Sequence, residues 1–92
     1  MAMTRERVLE QAREIITVDR EATHGKAENS FKTIARMWSA YLDIEIEEHD
    51  VCAMMALMKL ARIKNNAKHV DSWRDAIGHN AIGAELVGED DG

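Results

Sequence analysis

From Val51 to Met58 the chain reads Val-Cys-Ala-Met-Met-Ala-Leu-Met, eight residues with neither a charge nor a helix breaker. At about 100° per residue this run is apolar around its whole circumference, and a helix of that kind must be covered on every side. A chain of 92 residues holds a single domain. A domain of this size buries only about 60–65% of its unfolded surface. Three further helices do not suffice to wrap the run. A subunit interface is therefore expected to complete the cover, most simply in a homodimer that uses the second and third helices.

The remainder of the chain supplies those helices. There is no proline, and only four aromatic residues stand against six Met, a helix-forming profile that predicts an all-α fold. Thr4 is a suitable N-cap, and Val8, Leu9, Ala12, Ile15 and Ile16 recur at helical spacing, predicting a first helix over about 5–20. Gly25 ends it. Phe31, Ile34, Ala35, Trp38, Tyr41 and Leu42 form the inner stripe of a second helix that starts near Asn29 or Ser30. Asp43 to Glu47 reads as a connector, and the third helix spans about 47–64. Asn65 to Lys68 turns the chain. The fourth helix starts at Asp71 or Ser72, where Ser72-x-x-Asp75 resembles a capping box, and ends at Gly88. Residues 1–88 thus form one compact, mostly antiparallel four-helix bundle, and 89–92 an acidic frayed tail.

A net charge of −5 opposes binding to DNA and to anionic membranes, so phosphate recognition has to be local. Cys52 is the only cysteine, which excludes a disulfide framework and suits a reducing interior. No charged-then-apolar leader opens the sequence and no stretch approaches the roughly 20 apolar residues of a membrane span. The expected location is cytoplasmic, in the host's cytosol if the gene is a virus's.

One constellation has the makings of chemistry. Lys59 and Arg62 stand three apart on the third helix, and Asp71 and Asp75 four apart on the fourth. An antiparallel hairpin folded about residue 67 brings 59 opposite 75, and 62 opposite 71 or 72. The same face carries Gly78 against the third helix, with Met55 approaching His79 and Cys52 approaching Ile82. The charges fit two readings. They form ion pairs that set helix register, or the carboxylates hold Mg²⁺ while the cations hold phosphate oxygens, with Glu48, about a helix turn too distant at the far end of the stripe, as a third carboxylate where another subunit meets the helix end-on.

Other residues carry weaker signals. His24-Gly25-Lys26 suits a small anion-binding turn, although a glycine between two helices has the same appearance. Trp38, with Tyr41, can stack a nucleobase or simply fill the core. His49-Asp50 has the look of a metal-binding dipeptide, yet an acid also belongs in a helix first turn. Phosphate-binding loops, dinucleotide fingerprints and zinc-type Cys/His spacing are absent from the sequence.

Two runs carry a resemblance. The first is Thr23-His24-Gly25-x-x-x-Asn29-Ser30 followed by Ile34-Ala35-x-x-Trp38-Ser39-Ala40-Tyr41-Leu42. The second is Asp50-Val51-x-x-Met54-Met55-x-Leu57-x-Lys59-x-x-Arg62-Ile63-Lys64, then Asp71-x-x-x-Asp75-x-x-Gly78. Over about residues 20–86 the chain resembles a family of small phage and prophage proteins of unassigned function. More distantly it resembles the all-α nucleoside-triphosphate pyrophosphatases of the MazG type. The pyrophosphatase pattern has two glutamates three apart on one helix and an acidic pair three apart on a later one. Here Glu45 and Glu48 straddle the connector, Asp71 and Asp75 are four apart, and His79 replaces an expected aromatic residue. The resemblance implies handling of a nucleotide, with Mg²⁺-dependent release of pyrophosphate as its strongest form. An accessory protein that binds a host protein or sequesters a nucleotide signal fits the same small acidic chain.

Overall fold

A computed structural model describes residues 2–19 and 27–88. Over these it is all-helical: α1 Arg5–Glu14, running on into a π-helical turn Ile15–Asp19, then α2 Ala27–Leu42, α3 Glu48–Asn65 and α4 Val70–Val87. The expected all-α class stands. His24, Gly25, Lys26 and the tail 89–92 lie outside the described residues.

Helix ends follow from local chemistry. Thr4 caps α1, its hydroxyl accepting the Arg7 N–H at 3.1 Å. The α-helical part of α1 stops at Glu14 rather than near residue 20. Its last residues widen into the π turn, and the Thr17 hydroxyl donates back to the Arg13 carbonyl at 2.6 Å. That turn presents Ile16 to Gly78 of α4, where a Cβ would stand 2.9 Å from Ile16 Cγ2. Gly78 therefore makes room for the first helix, not for α3 as its stripe suggests. The close approach of α3 and α4 occurs at Gly83, where a Cβ would lie 3.0 Å from that of Cys52.

α2 ends in a left-handed residue, Asp43 at φ 55°, and the Ile44 N–H reaches back to the Ser39 carbonyl at 3.3 Å, a Schellman-type stop. α3 begins with Asp50 accepting the Glu47 N–H at 2.9 Å. The N-terminus of α4 differs from the sequence expectation. His69 is its N-cap, and Ser72 lies inside the first turn, 2% exposed, with its hydroxyl 3.0 Å from His69 Nδ1. Burial on the inward face removes Ser72 from the capping role that its spacing to Asp75 suggested. The turn before it is held by Trp73, whose indole N–H donates to the Ala67 carbonyl at 2.9 Å.

The core gathers Phe31 and Ala35 of α2, Val51 and Cys52 of α3 and Ile82 of α4, with Ile16, Ile34, Trp38, Ile46, Met55 and Leu86 packed around them. Trp38 thus belongs to the core, the plainer of its two readings. Tyr41 does not: it is 88% exposed. Where an aromatic was expected, His79 meets Phe31 edge to face with ring centroids 6.4 Å apart. α3 buries Val51, Cys52, Ala56 and Ile63, yet Met54, Leu57, Met58 and Leu60 stay exposed within one chain. The helix that is apolar all round is covered on one side only.

Candidate functional site

The hairpin brings part of the expected charge cluster together. Lys59 Nζ lies 3.0 Å from Asp75 Oδ2, with the two side chains 14% and 30% exposed, so the register reasoned from the sequence is the observed one. Arg62 breaks the pattern. It is exposed and makes no ion pair among the described residues, and Asp71 is engaged elsewhere. Arg74, one turn along α4, reaches Asp71 Oδ1 at 2.6 Å and Gln11 of α1 at 3.0 Å. A cation three residues away on the same helix reaches Asp71 more readily than one across the hairpin turn.

Glu48 is not part of this group. It opens α3, at the opposite end of the hairpin from the first turns of α4 that carry Asp71 and Asp75. The three carboxylates proposed as Mg²⁺ ligands therefore do not converge, and two of them already hold a cation. Among the described residues no three His, Cys, Asp or Glu side chains are grouped to hold a metal ion.

Glu48 has other company. It lines an open cleft of about 720 Å³ with Lys32, Ala35, Arg36 and Ser39 of α2, Ile46, Glu47 and His49 at the start of α3, and Leu86 of α4. Lys32, Arg36 and Ser39 recur at i, i+4 and i+7, forming a polar strip beside the apolar stripe of the same helix. Ser39 fixes the facing wall. Its Oγ accepts the Ile46 N–H at 2.8 Å and lies 2.7 Å from the Ala35 carbonyl. The connector is thereby tied down just where it delivers Glu47, Glu48 and His49 opposite the two cations. His49 Nδ1 is 3.3 Å from Glu47 Oε2, and its Nε2 3.5 Å from Asp50 Oδ1. Two cations thus stand a helical turn apart on one wall, with carboxylates and an imidazole on the other. The volume falls within the ~300–1,000 Å³ typical of small-ligand sites.

Residues 7–87 match the family described as a domain of unknown function, DUF6378. The chain belongs to that family. Two curated relatives are phage proteins. The "Gene 55 protein" of Mycobacterium phage D29 is 40% identical over 74 residues, which cover 80% of this chain and 49% of that protein. The "Gene 55 protein" of Mycobacterium phage L5 is 36% identical over 76 residues, covering 82% and 49%. The chain spans about half the length of both. No solved structure shows a significant match. The likeness to small phage proteins of unassigned function holds, and the further step to MazG-type enzymes has no counterpart in these matches. No helix among the described residues is long and apolar enough to cross a membrane.

Sequence reasoning did not single out Lys32, Arg36, Ser39 or Arg74. The strip of Lys32, Arg36 and Ser39 was visible as a helical period. What faced it was not, since that depends on the path of the Asp43–Glu47 connector.

Proposed function

We propose that the protein binds a nucleotide or a similar phosphorylated small molecule in the cleft between α2 and the start of α3. Lys32 and Arg36 hold the phosphate oxygens, Arg36 with a planar fork suited to two of them at once. Glu48 takes the hydroxyl or amino hydrogens of the sugar or base, and His49, its ring nitrogens beside Glu47 and Asp50, steadies that wall. The observation that carries this reading is the placing of two cations a turn apart across an open cleft from Glu48 and His49. The charge of −5 fits a ligand recognised locally rather than through a general basic surface. Pyrophosphate release with Mg²⁺ on Asp71, Asp75 and Glu48 is the stronger form of nucleotide handling, and its three carboxylates would first have to rearrange.

Melting curves with a panel of nucleoside mono-, di- and triphosphates, with and without Mg²⁺, test the reading. A ligand that binds only the folded state adds about 2.7 kcal/mol at a hundredfold excess over its Kd. Stabilisation that disappears in Lys32→Met and Arg36→Met but survives Arg62→Met supports the cleft. Loss with Asp71→Asn and Arg62→Met instead would return the site to the hairpin, and pyrophosphate release would mark an enzyme. If no nucleotide or metal shifts the curve, the accessory reading gains. In that reading the protein engages a host protein, and the exposed apolar residues of α3 favour it.

A further inference from the structure

The outward face of α3 takes no part in lining the cleft. Asp50, Ala53, Met54, Leu57, Ala61 and Lys64 follow one another along it at helical spacing, with Met58 and Leu60 on its flanks. Leu57, at the middle of the stripe, is 63% exposed, and Met54, Met58 and Leu60 are exposed as well. Apolar side chains at this density on one helix face mark an interaction surface. The charges at its two ends say which kind. The first turn of α3 is acidic, with Glu48 and Asp50, and its last turn basic, with Arg62 and Lys64. No charge lies on the stripe between Asp50 and Lys64.

We propose that this face docks on the same face of a second copy, the two α3 helices running antiparallel across a two-fold axis beside Leu57. Two-fold symmetry makes every contact occur twice. Leu57 meets Leu57 or Met58, Met54 meets Leu60 or Ala61, and Asp50 of each chain meets Lys64 of the other. The pairing is self-complementary in charge as well as shape, which matters for a molecule that otherwise repels itself at −5. Parallel packing would set acid on acid and base on base. Ala53 and Ala61 keep the helix surface low on either side of the axis, so the backbones can approach. The cleft lies on the α2 side of the helix and meets this face at Asp50, whose Oδ1 stands 3.5 Å from His49 Nε2.

Sedimentation velocity on the full chain tests the proposal. The parent should sediment as a dimer at micromolar concentration and Leu57→Glu as a monomer with unchanged far-UV circular dichroism. Lys64→Glu, an exposed change that leaves the fold alone, should weaken the dimer roughly tenfold, since the altered contact occurs twice. Asp50→Asn, which keeps an oxygen to accept the Glu47 N–H, should weaken it by less. Mixing these two variants should give a dimer tighter than Lys64→Glu forms alone, because one Asp50–Lys64 contact returns and no acid faces an acid in the mixed pair. A parent that stays monomeric at hundreds of micromolar overturns the proposal and leaves the face to a different protein. Failure of the mixed variants to pair overturns the antiparallel register, as would a Leu57→Glu protein that remains dimeric.

Discussion

The two ends of the α3–α4 hairpin carry similar charges and use them differently. At the turn end, Lys59 closes on Asp75 and Arg74 on Asp71 and Gln11, so these two cations are met by groups of the same chain while Arg62 stays exposed. At the far end, Lys32 and Arg36 face Glu47, Glu48 and His49 across open space. Near the turn, Lys59 reaches across from α3 to α4, and Arg74 finds Asp71 on its own helix and Gln11 on α1. At the other end α2 joins α3 through a five-residue connector, and Lys32 and Arg36 share an open cleft with the residues that follow it. Charges that satisfy one another hold a fold together, and charges held apart remain available to a ligand.

The comparison can be broken most directly at Asp75. Asp75→Ala leaves the Lys59 ammonium, 14% exposed, without its partner and should cost about 2–4 kcal/mol in urea unfolding. Adding Lys59→Met should recover part of it, and equal stability of the single variant and the parent would show that the pair contributes nothing. Next in size is Arg74→Met, which removes two charge-assisted bonds and unties α1 from α4. A loss of about 1–3 kcal/mol is expected, smaller in a Gln11→Ala background. Ser39→Ala should cost about 1–2 kcal/mol and weaken any ligand of the cleft, because the Ile46 N–H loses its acceptor. An unchanged affinity beside a lowered stability would separate the connector from the site. Arg62→Met should move stability by less than about 0.5 kcal/mol, as expected of an exposed side chain without an ion pair. A larger loss would restore Arg62 to the hairpin cluster.

Much of the hairpin was legible because it depends on counting. A helical period and a short turn put 59 opposite 75 and Cys52 near Ile82, whatever the rest of the molecule does. Thr4 as a cap and Asp50 in a first turn are equally local. The misread positions share one cause. Ser72 has the spacing of a capping box, but its place on the inward face of α4 buries it. Gly78 and Gly83 look alike in the sequence, yet one lies under Ile16 and the other under Cys52. Asp71 had two cations within reach, and the one on its own helix took it.

The sequence by itself determined the helices, their caps and the pairing of α3 with α4, since neighbours along the chain or across one short turn decide these. The hairpin register already kept Glu48 from Asp71 and Asp75, and tertiary structure alone decided that it shares a cleft with Lys32 and Arg36. That choice rests on the angle at which α2 meets α3, set by a left-handed Asp43, by the hydrogen bonds of one serine and by the packing of Phe31 and Ala35 on Val51. These contacts join residues far apart in the chain, and no periodicity along it records them.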